Sequence, residues 1–180
     1  MKLNVGCGGW QLPGWVNLDA IEHGVPGGVV ARAPSLPFLD ASLEEIYAGH
    51  FVEHLEYEEA VAFLAECRRC LTPGGVLGVV VPDTDAILKS YLNGPRKRIE
   101  FLRDGKSVFF YTDDLDDLCA VFLYSTVQDS QHRWSYNPRT LARLLESNGF
   151  RVEGEINRWF DRRIPIGTWY QCGWQARKEA

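Results

Sequence analysis

No apolar run in this 180-residue chain approaches the about 18 residues that a membrane-spanning helix needs, and Met1-Lys2-Leu3-Asn4 is no secretory signal. A soluble protein without a membrane partner is expected. Basic excess is missing as well: the formal net charge is −5. Phosphate backbones are held by clustered Lys and Arg, so no nucleic-acid partner is expected. The local runs Arg96-Lys97-Arg98 and Arg158, Arg162, Arg163 read as a solvated helix face and a charged turn. Repeats, linkers and low-complexity tracts are absent, and the length suits one domain spanning 1–180.

Cysteine is sparse: Cys7, Cys67, Cys70, Cys119 and Cys172 are scattered and odd in number. Cys67-Arg68-Arg69-Cys70 spells C-x-x-C, but it lies within a helical pattern and lacks a second pair to complete four ligands. A structural role is expected for it. Thiols without a pairing framework suit a reducing, cytoplasmic compartment. Dinucleotide signatures are missing too. Gln11 stands where the third glycine of G-x-G-x-x-G belongs, and no P-loop lysine follows. Asp19 also comes 13 positions after Gly6, where a dinucleotide site would place its acidic residue about 20 on.

What is present alternates between strand and helix. Leu3-Asn4-Val5, Trp15–Leu18, Gly28–Ala31 and Glu44–Ala48 read as strands, with the proline-stiffened Pro34–Phe38 between the last two. From Tyr57 to Leu71, apolar residues recur at helical spacing, and Pro73-Gly74-Gly75 is expected to end that helix. Val76–Val81 is a continuous apolar run, as in a strand covered on both faces. Helices are expected near Ala86–Leu92 and Leu115–Tyr124, the latter containing part of an acidic cluster at 113–117. Asn137-Pro138 opens a late helix, with Asn at the cap and Pro at its first position. Asn148-Gly149 closes it, and Phe150–Ile156 and Thr168–Gln175 read as final strands. The pattern predicts an α/β fold with a mostly parallel sheet.

In such a sheet, ligands bind beyond the carboxyl ends of the strands. There the first strand carries Gly6-Cys7-Gly8-Gly9, where glycine lets backbone approach a ligand, and the second ends on Asp19. A glycine loop with a strand-end carboxylate suits an adenosine ligand, although a loop of this kind is also a plain tight turn.

Further segments sharpen this. Asn4–Gly9 resembles motif I of class I methyltransferases, and Leu36-Pro37-Phe38 with Asp40 and Ser42 resembles their "LPF-x-D-x-S". His50–Leu55 resembles "H-x-x-E-H-L", Leu71–Gly75 resembles "L-x-P-G-G", and Leu144–Phe150 is similar to "LL-x-x-x-GF". Pro13–Asp19 is similar to the "PGW-x-N-x-D" of small methyltransferases that accompany glycan and surface-polysaccharide genes.

The resemblance implies a Rossmann-like, seven-stranded sheet with an antiparallel last strand, and S-adenosyl-L-methionine as cofactor. It implies that Asn4, Gly6, Cys7 and Gly8 line the methionine end, Asp19 the ribose, and Leu36 the adenine. His50 would border the methionine end. His132, or His50, would serve as base or acceptor contact, and residues 84–131 as lid and acceptor selector. O-methylation of a small molecule or glycan is the implied reaction. A non-catalytic module working with a partner subunit is the alternative. Nucleobase methylation is disfavoured, because Gly49-His50-Phe51-Val52 replaces the Asn/Asp-Pro-Pro-Tyr/Phe of those enzymes.

Glu53 and His54 supply too few ligands by themselves for a metal, so none is expected. The aromatics Trp134, Tyr136, Trp159, Trp169, Tyr170 and Trp174 divide between core and acceptor platform. Three departures stand out: Asn4 where motif I usually has an acid, Arg32 where an Asp is common, and only Trp10–Gly14 between loop and second strand. A first helix reduced to a turn follows, and with it an open pocket that a homodimer partner would cover.

Overall fold

The computed structural model describes residues 1–22, 28–93, 99–103, 106–110, 131–156 and 170–179. His23, Cys119, the helix expected at Leu115–Tyr124, the acidic cluster, both basic runs, Trp159 and Trp169 lie outside the described residues.

Seven strands form one sheet: β1 (Lys2–Val5), β2 (Val16–Asp19), β3 (Val29–Val30), β4 (Leu43–Gly49), β5 (Leu71–Pro82), β8 (Phe150–Glu155) and β9 (Gln171–Lys178). Their spatial order is β3-β2-β1-β4-β5-β9-β8. Neighbours from β3 to β5 pair in parallel, whereas β9 runs antiparallel to both β5 and β8. The order reverses between β1 and β4, and their carboxyl ends diverge into the loops at Gly6 and His50. That is where an open α/β sheet leaves a crevice.

One face of the sheet carries most of the core. Leu3, Val5, Ile46, Ala48, Leu77, Val79 and Val81 pack with Phe63, Leu64 and Cys67 of α1 (Tyr57–Cys70). Cys67 and Cys70 are both fully buried, so their i, i+3 spacing places thiols in the core. Helix α3 (Pro138–Ser147) adds Leu141, Leu144 and Leu145 to this core. Its start is as the sequence suggests: Asn137 Oδ1 accepts from Thr140 N at 2.8 Å, Thr140 Oγ1 accepts from Asn137 N at 2.9 Å, and Pro138 follows.

The opposite face is more polar, with Lys2 Nζ 2.9 Å from Glu45 Oε2 and a small cluster of Leu12, Tyr47 and Val80. Leu12 comes from the ten-residue β1–β2 connection, which contains turns and no helix.

One expectation needs correction. Helix α1 ends at Cys70, ahead of Pro73-Gly74-Gly75, and Leu71 is already extended at φ −70° and ψ 139°. Leu71 pairs with Leu43 and is fully buried, so sheet pairing and burial take over before the glycines are reached. Gly74, at φ +72°, instead lies where the register with β4 shifts. Within 84–131, α2 (Thr84–Asn93) falls where a helix was expected, but β6 (Ile99–Arg103) and β7 (Lys106–Phe110) form an antiparallel hairpin that periodicity did not suggest.

Candidate cofactor and acceptor site

The loop at the end of β1 is held by a buried amide pair. Asn4 and Asn17 face each other across β1 and β2, and Asn4 Nδ2 donates to Asn17 Oδ1 at 2.9 Å. Asn17 Oδ1 also accepts from Leu12 N at 2.9 Å, and Asn4 Nδ2 reaches Trp10 O at 3.2 Å. With no helix to organise this crossover, two side chains hold its backbone in place. Asn4 is 1% exposed, so the structure places it beneath the loop, bracing it.

Gly6 and Gly8 both adopt left-handed backbone, at φ +63° and +52°. They differ in surroundings. A Cβ on Gly6 would strike the Phe51 ring, whereas one on Gly8 or Gly9 would enter open space. The open side of the loop is therefore at Gly8–Gly9. Gly8 N donates to Asp19 Oδ2 at 2.8 Å, and Ile21 N donates to Asp19 Oδ1 at 3.1 Å. Asp19 is thus tied to the glycine loop through both of its carboxylate oxygens. Cys7 is 3% exposed, with its thiol toward Gly8 O at 3.3 Å. A bare glycine cradle beside a strand-end carboxylate fits an adenosine-bearing cofactor with a carboxylate and amine at its other end.

Leu36 sits in a loop clamped from α1. Leu36 N donates to Glu66 Oε2 at 3.0 Å, and Arg69 Nη2 donates to Leu36 O at 3.0 Å. Arg69 also binds Phe38 O and Asp40 Oδ1, both at 2.8 Å, and Glu66 Oε1 at 2.8 Å. The hydrogen bond from Arg69 holds the Glu66 carboxyl down at about 2. The Leu36 side chain is 3% exposed within the core, and its N–H and C=O are both engaged by this clamp.

His50 terminates β4 in left-handed backbone, φ +51°, a conformation costly for a residue with a Cβ and one that clusters at functional sites. Its amide donates to Val80 O at 2.8 Å, and its ring bridges Gln171 Oε1 (3.2 Å from Nε2) and Glu53 Oε1 (3.2 Å from Nδ1). Glu53 is 1% exposed, and neither of its carboxylate oxygens has a well-angled hydrogen-bond partner. Burial works to raise its pKa, but the contact with His50 and the charges of His50 and His54 outweigh it and hold the carboxyl below its ordinary range.

The segment before α3 folds back onto this point. Arg133 N and Trp134 N donate to Glu53 O at 2.7 and 3.2 Å. His132 stacks edge-on against His54, ring centroids 4.8 Å apart, and the exposed Trp134 lies 5.3 Å from the Tyr57 ring. His50 and His132 thus both border the Glu53 turn. Tyr136 is buried, and its hydroxyl finds no partner. Burial, then the Glu53 charge, pushes it above its ordinary range. Trp174 donates to Pro138 O at 2.7 Å, which gives that aromatic a bracing role. Sequence reasoning missed Asn17, Phe51, Glu66, Arg69 and Gln171. Phe51 and Asn17 lay inside the methyltransferase-like motifs and Arg69 inside the C-x-x-C, whereas Glu66 and Gln171 carried no local signal.

Comparison with known proteins places these features. Residues 16–79 match the family model described as "Methyltransferase domain". No curated protein matches the sequence. A S-adenosylmethionine-dependent methyltransferase from Aquifex aeolicus superposes with a TM-score of 0.56 at 16% identity, covering 98% of this chain and 80% of that one. The 1,6-didemethyltoxoflavin-N1-methyltransferase of Burkholderia thailandensis, solved with 1,6-didemethyltoxoflavin and S-adenosylhomocysteine, gives 0.61 at 14% identity, covering 99% and 71%. A Haloferax volcanii methyltransferase in complex with the Trm112 methyltransferase activator gives 0.61 at 10% identity, covering 99% and 82%. The chain therefore has the Rossmann-like class I methyltransferase fold and carries a methyltransferase domain match across β2 to β5, the mark of an enzyme.

Proposed function

We propose that this protein transfers a methyl group from S-adenosylmethionine to an oxygen of a small molecule or glycan. The observation that carries the reading is the loop at the β1–β4 reversal. Gly8 presents bare backbone to open space while its amide holds Asp19 at the neighbouring strand end. Gly6 through Gly9 would hold the methionine end, Asp19 the ribose hydroxyls, and the Leu36 loop the adenine side. Asn4 and Asn17 keep that loop in register without a helix. When bound, S-adenosylmethionine supplies an activated methyl on a sulfonium, so alignment of acceptor and methyl is the protein's main task.

On the acceptor side, His50 is the candidate general base. Glu53 fixes Nδ1 as the donor, so Nε2 is the nitrogen that would take a proton when an acceptor displaces the Gln171 amide oxygen now 3.2 Å from it, and the strained backbone aims the ring from the end of β4. An imidazole there can take the proton of an acceptor hydroxyl at neutral pH. His132 and the Tyr57–Trp134 ring pair lie around the same Glu53 turn, and aromatic faces suit a sugar or aromatic ring. The glycan reading rests on the resemblance of Pro13–Asp19 to methyltransferases of glycan genes.

Calorimetric titration with S-adenosylhomocysteine, on wild type and Asp19→Ala, tests the cofactor site. Micromolar binding that the variant loses supports it, and no binding to well-folded wild type sinks it. Turnover with sugar and phenol panels, lost in His50→Gln, tests the acceptor assignment.

A further inference from the structure

Glu53, His54 and His132 bring one carboxylate oxygen and two imidazole nitrogens within 4.8 Å of one another. They come from the turn after β4 and from a segment 78 residues further on. Two independent features point to an occupant. Neither oxygen of the buried Glu53 carboxylate makes a well-angled hydrogen bond, Oε1 meeting only His50 Nδ1 at 3.2 Å, and the buried Tyr136 hydroxyl, on the segment that carries His132, has no partner. Buried orphan polar atoms are rare in native proteins, and a cluster of them beside two histidines calls for something that satisfies them together. Meanwhile the Gln131 carbonyl lies 3.1 Å from His54 Nδ1. A carbonyl only accepts, so Nδ1 carries a proton, and in the neutral ring Nε2 keeps its lone pair. This is how metal-ligating histidines are oriented. His50, 3.2 Å from Glu53 Oε1, stands to the carboxylate as an outer partner stands to a ligand.

We propose that Glu53, His54 and His132 form a binding site for a divalent transition-metal ion, with zinc the best-suited class. Two imidazoles and one carboxylate are a donor set that zinc and its neighbours accept, and three protein ligands leave a position for water or another oxygen. The ion neutralises the buried carboxylate and pins the 131–136 segment to the turn after β4. That pin acts alongside the backbone bonds of Arg133 and Trp134 to Glu53 O. The site stands on these residues alone and does not depend on the identity of the methyl acceptor.

The test uses the full chain without an affinity tag, stripped with a chelator, then titrated with zinc chloride against a chromophoric competitor. Cobalt chloride gives a parallel visible spectrum. About one equivalent of zinc per chain is expected, with affinity falling at least about tenfold in His132→Ala and in His54→Ala. Both histidines are only partly buried, so these variants are expected to fold, and circular dichroism checks it. Zinc-dependent thermal stabilisation should shrink in both. A folded wild type that takes up no zinc overturns the proposal, as does uptake that both histidine variants leave unchanged. S-adenosylhomocysteine binding in the same samples reports on the cofactor site separately, so failure of one reading is distinguishable from failure of the other.

Discussion

Replacing Glu66 by Gln probes how a helix-borne ion pair holds the Leu36 loop. Glu66 accepts from Leu36 N and pairs with Arg69, whose guanidinium in turn binds Leu36 O, Phe38 O and Asp40. Its carboxyl sits at about 2 instead of the ordinary 4.5. Because the folded value lies below the unfolded one, its contribution is fully present above about pH 5. It fades as pH falls through 4.5 towards 2. A drop of that size corresponds to a ceiling of about 3.4 kcal/mol. The Glu66 side chain is 27% exposed and Asp40 is 80% exposed, so solvent screening reduces this to about 1–2 kcal/mol. Urea unfolding of wild type and Glu66→Gln, from pH 7 down to the lowest pH at which both fold, should show the variant less stable at neutral pH. The gap should then narrow through pH 4.5. Comparing the two proteins cancels the Glu153–Arg177 pair, which loses its own contribution in the same window. A gap that stays constant from pH 7 to 3.5 would refute the reasoning. S-adenosylhomocysteine should also bind Glu66→Gln several-fold more weakly, because the loop is less firmly held.

Gly6→Ala and Gly8→Ala should separate folding from binding. Gly6→Ala meets the Phe51 ring as well as left-handed backbone and should cost about 2–3 kcal/mol, read as a fall in Tm. Gly8→Ala meets only the backbone cost of about 1–2 kcal/mol, yet its methyl fills the open side of the loop and should abolish S-adenosylhomocysteine binding in calorimetry. Asn17→Leu removes the acceptor of Leu12 N and Asn4 Nδ2, leaves buried donors unpaired, and should cost about 2–3 kcal/mol in urea unfolding. Trp174→Phe keeps most of the ring but loses the bond to Pro138 O, which should lower stability by about 1 kcal/mol with cofactor affinity unchanged.

Much of this architecture is written in short-range pattern. The Asn137-Pro138 cap, the Leu141–Leu145 stripe and the apolar run of β5 are each decided within a few residues, because caps and amphipathic spacing act at that range. The same holds for the glycine loop and Asp19, whose places at the ends of the first two strands suggested an adenosine ligand. Where the sequence misled, a long-range contact had outweighed a local preference: Leu71 pairs with Leu43 of β4, so α1 gives way to β5 before its proline and glycines. Tertiary structure alone decided three things. The Asn4–Asn17 pair became the brace of a helix-less crossover, Glu66 and Arg69 became the clamp on Leu36, and His132 came to lie against His54 beside a buried Glu53. The physical reason is common to all three. A polar side chain taken out of water meets whatever group the folded chain brings to it, and no local propensity records a group a dozen or more residues away.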